Sequence, residues 1–533
     1  MRQISREVFM DISIFEVIGP VMLGPSSSGT AGMARIGSTA NKFLTAPLKA
    51  IHITVTPRFE TGYIACRSHF ALIGGAMGLS ESDPRLRRAL ELAREQNIDL
   101  SYSLFPEPVP AHALTIRLLL TMTTGETVAL TAVSVGGGSI EVLAVDDHPV
   151  SVSPTAHHVF LWSDGPLCNL PDSRLFSAAP QVHTSAAGTL ICAPLSGPLS
   201  AEDADALRSL PGVKKVIYTP PFLPLGLIPH EPLFTTYEQL VALSRETGRD
   251  IADLAVDYEM ARSGRTEADI RAQMADMLAV MKEAVRRGLE EPIHPLYGFN
   301  KGDGGKRLYA AALAGKTMGG STLSRAIACA LATMEYSMSL GQVVAAPTGG
   351  SCGIVPGCLL TVQQDKGFSD EALVRALFVC AAIGVVMYYH GTSFSGSQGG
   401  CQGEVGVSSA MAAGGLTYLS GADSKTVIHG AALAMKNILG LICDPLKACD
   451  EVPCIKRNGI GVANAFSGAD MAIAGIESFI PPDEVIESLV DLQHRMPVEM
   501  RGSGCGARGT KTGLASEQWA LDMSREILLP RKN

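Results

Sequence analysis

Aromatic residues are scarce in this sequence. They make up 5% of its 533 residues, with only two tryptophans. Large ring-packed cores are therefore not the expected framework; 55 glycines and many alanines instead favour closely packed helices and sites lined by backbone. Basic runs are lacking as well. The net charge is −9, and no lysine- or arginine-rich patch is present to neutralise phosphates, which argues against nucleic acid as a partner. No apolar run reaches the roughly 20 residues a membrane span needs. The most apolar stretch, ALFVCAAIGVVMYYH (376–390), has about 14 uncharged residues before its histidine and reads as a buried helix, with no membrane partner expected. The opening MRQISREVFMDISIFEVIG lacks the apolar core and cleavage site of a signal peptide, so a cytoplasmic location is expected. There is no C-x-x-C pair, no GxxxxGK[ST] phosphate loop, no repeat of regular period and no evident pyridoxal-phosphate lysine loop; Lys436 lies in a helical context.

What is present is a long chain with enough interior for two to four domains, at about 150 residues each. Residues 51–56, 114–123 and 127–135 carry strand-like patterns, with TTGET (123–127) as a turn and a helix expected over 81–98 that starts near Pro84. This predicts an α+β domain over 1–160. Residues 161–235 are rich in proline and turn residues. There GTLICAPL and VKKVIYT read as strands flanking a helix, SAEDADALRSL, which predicts an inserted small α/β module or linker, open to a ligand-binding or a spacer role. From 236 to 533 helical periodicity dominates, including a long amphipathic helix over 267–290. The fold class is thus α+β followed by a mostly α-helical domain.

Four stretches interrupt the helical half: APTGGSCGIVPG (346–357), HGTSFSGSQGGCQGEVG (390–406), CDPLKACDEVPCIKRNG (443–459) and RGSGCGARGTKTG (501–513). Their glycines and prolines mark them as loops, candidate walls of one pocket. Twelve cysteines without a secretory signal point to reduced thiols used for metal binding or catalysis. Cys401, Cys443 and Cys454 sit on such backbone. Their spacing is compatible with an iron–sulfur centre, with zinc, or with plain burial. GPSSSGT (24–30) places hydroxyls and free amides where they either bind a carboxylate or cap a helix.

At these residues the chain resembles the iron–sulfur-dependent L-serine dehydratases (L-serine ammonia-lyases), with their beta and alpha portions fused. SIFEVIGPVMLGPSSSGTAGMARIG (13–37) is similar to the family's SIFE…GPSSSHT…G opening, SVGGGSIEV (134–142) to its Gly-rich strand region, and AAPTGGSCGIVPG, SGSQGGCQGEVG and CDPLKACDEVPCIKRNG to successive alpha-portion motifs. The resemblance covers most of 11–150 and 236–515. It implies that Cys401, Cys443 and Cys454 hold a [4Fe–4S] cluster, with Cys505 as a replaceable fourth ligand and Cys449 and Cys352 as bystanders. It further implies Lewis-acid-assisted β-elimination of water from L-serine, giving pyruvate and ammonia. Ser26, Ser27, Ser28 and His69 become the catalytic candidates. Thr30, Thr348, Gly349, Ser395 and Gly396 become the substrate-binding ones, and Glu404 a partner that orients the ligand loop. A small amino-acid substrate and a homodimer are implied too.

Two departures stand out. Gly29 replaces the histidine of SSSHT, and the family's GHGTDKA reads CRSHFAL (66–72) here, with His69 close by; His390 and His429 are further candidates. These changes leave open a related lyase acting on another β-hydroxy or β-substituted acid such as L-cysteine. A non-catalytic binding protein on the same fold is the other alternative.

Overall fold

The computed structural model describes residues 11–443, 451–502 and 510–524, apart from 166, 168–173, 186–187, 224, 226–227 and 229. An α/β N-terminal region with mixed sheets is followed by a mostly helical part, as the sequence predicts. Among the described residues there are twelve strands. β1 (Val21–Leu23) stands apart. β2 (Leu48–Val55), β3 (Asp99–Leu104), β4 (Thr115–Met122), β5 (Thr127–Gly136), β6 (Ser139–Val145) and β7 (His148–Pro149) form one sheet in the order β3-β2-β4-β5-β6-β7. β2 and β3 are parallel and the other pairs antiparallel. Alternation fixes the buried face: Ile116, Leu118, Leu120 and Met122 of β4 all point inward. In place of one helix over 81–98, Asp83 caps a 3-10 turn, Pro84–Arg88, that leads into a helix, Ala89–Glu95.

Helix Gly32–Asn41 packs on β4, β5 and β6 of this sheet and touches helix Ser68–Ala76 at two glycines. A Cβ on Gly37 would lie 2.3 Å from the Leu72 carbonyl oxygen, and one on Gly75 would lie 2.2 Å from that of Ala34. Only glycine permits this approach. It brings the serine loop that precedes the first helix against Cys66–Ser68, which precede the second.

β8 (His157–Ser163), β9 (Gln181–Ser185), β10 (Gly188–Leu195) and β11 (Val213–Thr219) form an antiparallel sheet in the order β11-β8-β10-β9, with helix Ala201–Arg208 following β10. The strands and helix expected there are present, but β8 crosses the 160/161 boundary and is central to the sheet. One face, through Phe160, Leu190 and Cys192, joins the N-terminal core. The other, through Val159, Leu161 and Ile191, packs with Leu207 of the helix.

The helical half is built around Asp370–Tyr389. This helix is long and apolar enough to cross a bilayer, yet 83% of its apolar window is buried inside the protein, so it serves as a core helix. Helix Glu267–Glu290 matches its expected span, capped by Thr266. The stretch 443–459 corrects an expectation: from Pro453 onward it is helix, Pro453–Ile473, because a proline in the first turn costs no hydrogen bond there.

The two halves are joined by backbone. β12 (Gln342–Val344) lies in the helical half, and β1 pairs with it antiparallel, Val21 opposite Val344 and Leu23 opposite Gln342. Serine loop and TGG loop therefore leave neighbouring strands side by side.

Candidate active site

The hydroxyl wall comes first. Ser26 accepts the Gly29 amide at 3.0 Å and so caps the turn Ser27–Ala31, while its Oγ lies 3.5 Å from that of Ser28. Capping and presentation of hydroxyls coexist in this loop. Thr30 is committed, donating to the Cys66 carbonyl at 3.0 Å, and Ser27 is buried. Across from it Gly349 packs so closely that a Cβ there would stand 3.0 Å from both the Pro25 carbonyl oxygen and the Ser27 amide nitrogen. The VGGGS hairpin closes another side. A Cβ on Gly136, whose φ is +114°, would meet the Ser395 Cβ at 3.0 Å.

Glu404 connects this wall to the thiols. Its carboxylate accepts the Thr348 hydroxyl at 2.9 Å and lies against the backbone of Gly350 and Gly396. Any side chain at Gly396 would collide with it, since a Cβ there would be 2.4 Å from the carboxylate oxygen. Thr348, Gly396 and Glu404 thus meet at one point, with Gly349 and Ser395 adjoining them in sequence.

Cys401, Cys443 and Cys454 are all buried. Cys401 opens the turn that leads into helix Val407–Leu419, Cys443 ends the connection after helix Ser424–Lys436, and Cys454 lies in the first turn of Pro453–Ile473. The Cys443 thiol is pushed well above its ordinary pKa, first by a hydrogen bond with Cys401, then by burial and by the charges of Cys401, Cys454 and Glu404. The three thiols and Glu404 therefore share one electrostatic neighbourhood. Sequence reasoning missed Arg457, one turn beyond Cys454, which donates from Nη1 to Cys401 Sγ at 3.0 Å and to the Ile442 carbonyl at 2.6 Å. It also missed Asn458, which donates to the carbonyls of Gly350 and Cys454 and accepts the Gly353 amide, tying the TGG loop to the thiol helix. Polar residues at i+3 and i+4 from Cys454 in CIKRNG were the available signal. Gly502 closes the centre, its amide donating to Gly396 and its α-carbon side facing Cys443 Sγ. Among the described residues, no three His, Cys, Asp or Glu side chains converge tightly enough to hold a single metal ion. Cys449 and Cys505 lie outside the described residues. None of the nine described cysteines is joined in a disulfide, and Cys352 is buried against Met334 with its pKa raised by burial to about 12.

The two departures from the family pattern meet each other. A Cβ on Gly29 would stand 2.9 Å from Cys66 Cβ and 3.1 Å from its Sγ. Cys66, where the family has glycine, fills the space a side chain at 29 would need. Ser68 then donates to the Gly29 carbonyl at 2.5 Å. His69 follows on the same helix, 1% exposed, its ring against Tyr63 and Phe70. Burial first, and the charge of Arg67 second, lower its pKa to about 3, so it stays neutral. His390 and His429 lie in other company, near Asp483 at 3.2 Å and beside Ser478 and Glu477, and Lys436 donates to the Ser478 carbonyl.

Loops from both halves, a thiol centre and a hydroxyl wall in one place define an enzyme that handles a small polar substrate. The sequence pattern of the family described as "Serine dehydratase alpha chain" matches residues 246–506. The chain is 38% identical over 295 residues to "Probable L-serine dehydratase, alpha chain" of Bacillus subtilis, which spans 55% of this chain and 95% of that protein. It is 36% identical over 282 residues to "L-serine dehydratase, alpha chain" of Peptoniphilus asaccharolyticus, 53% and 96% of the two chains. "L-serine dehydratase 2" of Escherichia coli is 34% identical over 274 residues, 50% of this chain and 59% of that one. The chain belongs to the L-serine dehydratase family. It is about twice as long as the alpha chains it matches, which fits fused portions.

Proposed function

We propose that this enzyme is an iron–sulfur-dependent L-serine ammonia-lyase that converts L-serine to pyruvate and ammonia. The observation that carries the reading is the meeting of Cys401, Cys443 and Cys454 beside Glu404 and the serine loop. Three buried thiols from three separate elements suit a cluster more than a single ion, and Gly502 keeps a side chain out of the space beside Cys443 as Gly396 does beside Glu404. Cys401, Cys443 and Cys454 would hold a [4Fe–4S] cluster, with Cys505 as replaceable fourth ligand; when bound, it supplies Lewis acidity toward the β-hydroxyl leaving group.

The chain's own groups do the rest. Glu404, held by Thr348, takes the substrate's ammonium, and Thr348, Gly349, Ser395, Gly396 and Thr30 shape the pocket around it. Ser26, Ser27, Ser28 and His69 are the acid–base groups, the hydroxyls relaying a proton to the departing hydroxyl and the neutral His69 entering only as an acceptor of the α-proton. Arg457 holds Cys401 in place from behind. Water leaves by elimination, the enamine product tautomerises to the imine, and hydrolysis of that imine by water releases ammonia and pyruvate. Nine described cysteines outside any disulfide suit a reducing compartment, which supports a cytoplasmic enzyme; the homodimer rests on the family resemblance.

The test is an anaerobic preparation reconstituted with iron and sulfide and assayed for pyruvate and ammonia from L-serine and, in parallel, L-cysteine. Faster turnover of L-serine supports the reading, and turnover of L-cysteine alone replaces it with the sister activity.

A further inference from the structure

Between helix Glu60–Ala65 and helix Ser68–Ala76 the chain turns through Arg67 in the left-handed region, at φ 52° and ψ 34°. Arg67 is only 6% exposed, and its Nη1 meets no hydrogen-bond partner. Among the described residues no carboxylate forms an ion pair with it. Its guanidinium lies over the rings of Phe70, at 5.8 Å, and Tyr297, at 5.7 Å, which compensates a buried charge in part. The Tyr63 hydroxyl and both ring nitrogens of His69 are also buried without partners, and those two rings are 5.4 Å apart. Four unsatisfied polar atoms thus fall within seven residues. Buried polar groups are normally paired, and a buried cation without an anion is costly, so such a cluster marks a place where a ligand belongs.

The surroundings say which ligand. Cys66 and Ser68, on either side of Arg67, both touch Gly29 of the serine loop. Tyr297 on the opposite side is held through its amide by Glu451, three residues before Cys454. Arg67 is thus the central residue of the turn that packs on Gly29, and its guanidinium stacks on Tyr297, whose amide is tied to the residue three before Cys454. It occupies the second position of CRSHFAL, where GHGTDKA has histidine.

We propose that Arg67 binds the α-carboxylate of the substrate. The planar fork gives a carboxylate two parallel N–H donors, which neither a histidine nor the serine hydroxyls can match. This assignment rests on the reading of the enzyme as an amino-acid lyase, and it makes the carboxylate a requirement for binding.

The test is calorimetric binding of L-alanine and L-alaninamide to the anaerobic holoenzyme. Both lack the β-hydroxyl and cannot be dehydrated. The wild type is expected to bind L-alanine at least about tenfold tighter than the amide, because a site built around an ion pair rejects the analogue that cannot form it. R67M is expected to lose that preference with its affinity for the amide unchanged, and R67K to fall between the two. Circular dichroism checks folding, and R67K carries the comparison if R67M does not fold. Equal binding of the two ligands by the wild type, no binding of L-alanine, or full L-alanine affinity in a folded R67M would each overturn the proposal. L-Serine without pyruvate would instead sink the lyase reading and leave the carboxylate comparison to judge Arg67.

Discussion

Gly29 and Cys66 are a compensating pair. Each alone departs from the family pattern, and together they fill one volume. Restoring histidine in G29H forces the new side chain into Cys66 and is expected to destabilise the protein by about 1–3 kcal/mol or more, the usual range for overpacking a core. G29H/C66G is expected to recover most of that loss, and thermal unfolding of the single and double variants measures the coupling. His69 makes a second prediction at this scale. Its pKa in the folded protein is depressed to about 3, whereas the unfolded chain takes up the proton near 6.5. The unfolded state therefore binds more protons between these values, and stability falls as pH drops from about 6.5 to 3, by on the order of 5 kcal/mol. H69F is expected to flatten that acid limb; a limb of unchanged slope in H69F would show that other groups produce it.

At the scale of elements, the site depends on how strands and helix ends meet. Glu451 is buried just before helix Pro453–Ile473, and its carboxylate accepts the backbone amides of Tyr297 at 2.8 Å and Asn300 at 2.8 Å. E451A would leave the buried Tyr297 amide and the part-buried Asn300 amide without their acceptor, a cost of roughly 2–4 kcal/mol. It would also loosen the turn that carries Cys454, so cluster content should fall together with the unfolding midpoint; retention of both would count against this role. Much of this scale was legible in advance. β10, β11 and helix Glu267–Glu290 follow their periodicity because each is decided by local pattern. The pairing of β1 with β12 was not legible: strands of three residues, over 300 positions apart, carry no local signal. For the same reason the motif strings made Cys401, Cys443 and Glu404 visible, while Arg457 and Arg67 became informative only once their neighbours were known. Arg67 stands out through what it lacks, a property no sequence displays.

Over the whole molecule, the chain's N-terminal stretch is locked onto the helical half. Ser13 and the Ile14 amide donate to Glu259 at 2.9 and 3.1 Å, and the buried Arg262 pairs with Asp11 at 2.9 Å. This clamp fixes the segment leading to β1 and hence the serine loop. Burial raises the Glu259 pKa to about 7, against the lowering influence of Arg262 and the two donors. The folded state then holds a proton that the unfolded chain releases near 4.5, so this group's contribution to stability declines as pH rises from about 4.5 to 7, by roughly 3 kcal/mol. E259Q should remove that decline while leaving the opposite trend of His69 in place. Chemical denaturation across this range separates the two, and a decline of the same size in E259Q would exclude Glu259 as its source.

If the thiols of Cys401, Cys443 and Cys454 form the cofactor centre of an L-serine lyase, cluster and activity must disappear together. The visible absorption of the anaerobically reconstituted protein, read with pyruvate formation from L-serine in the wild type and in C401A, decides this. A broad cluster absorption and pyruvate are expected in the wild type, and the loss of both in a folded C401A. A wild type that forms pyruvate with no cluster absorption, or a C401A that keeps both, would contradict that assignment.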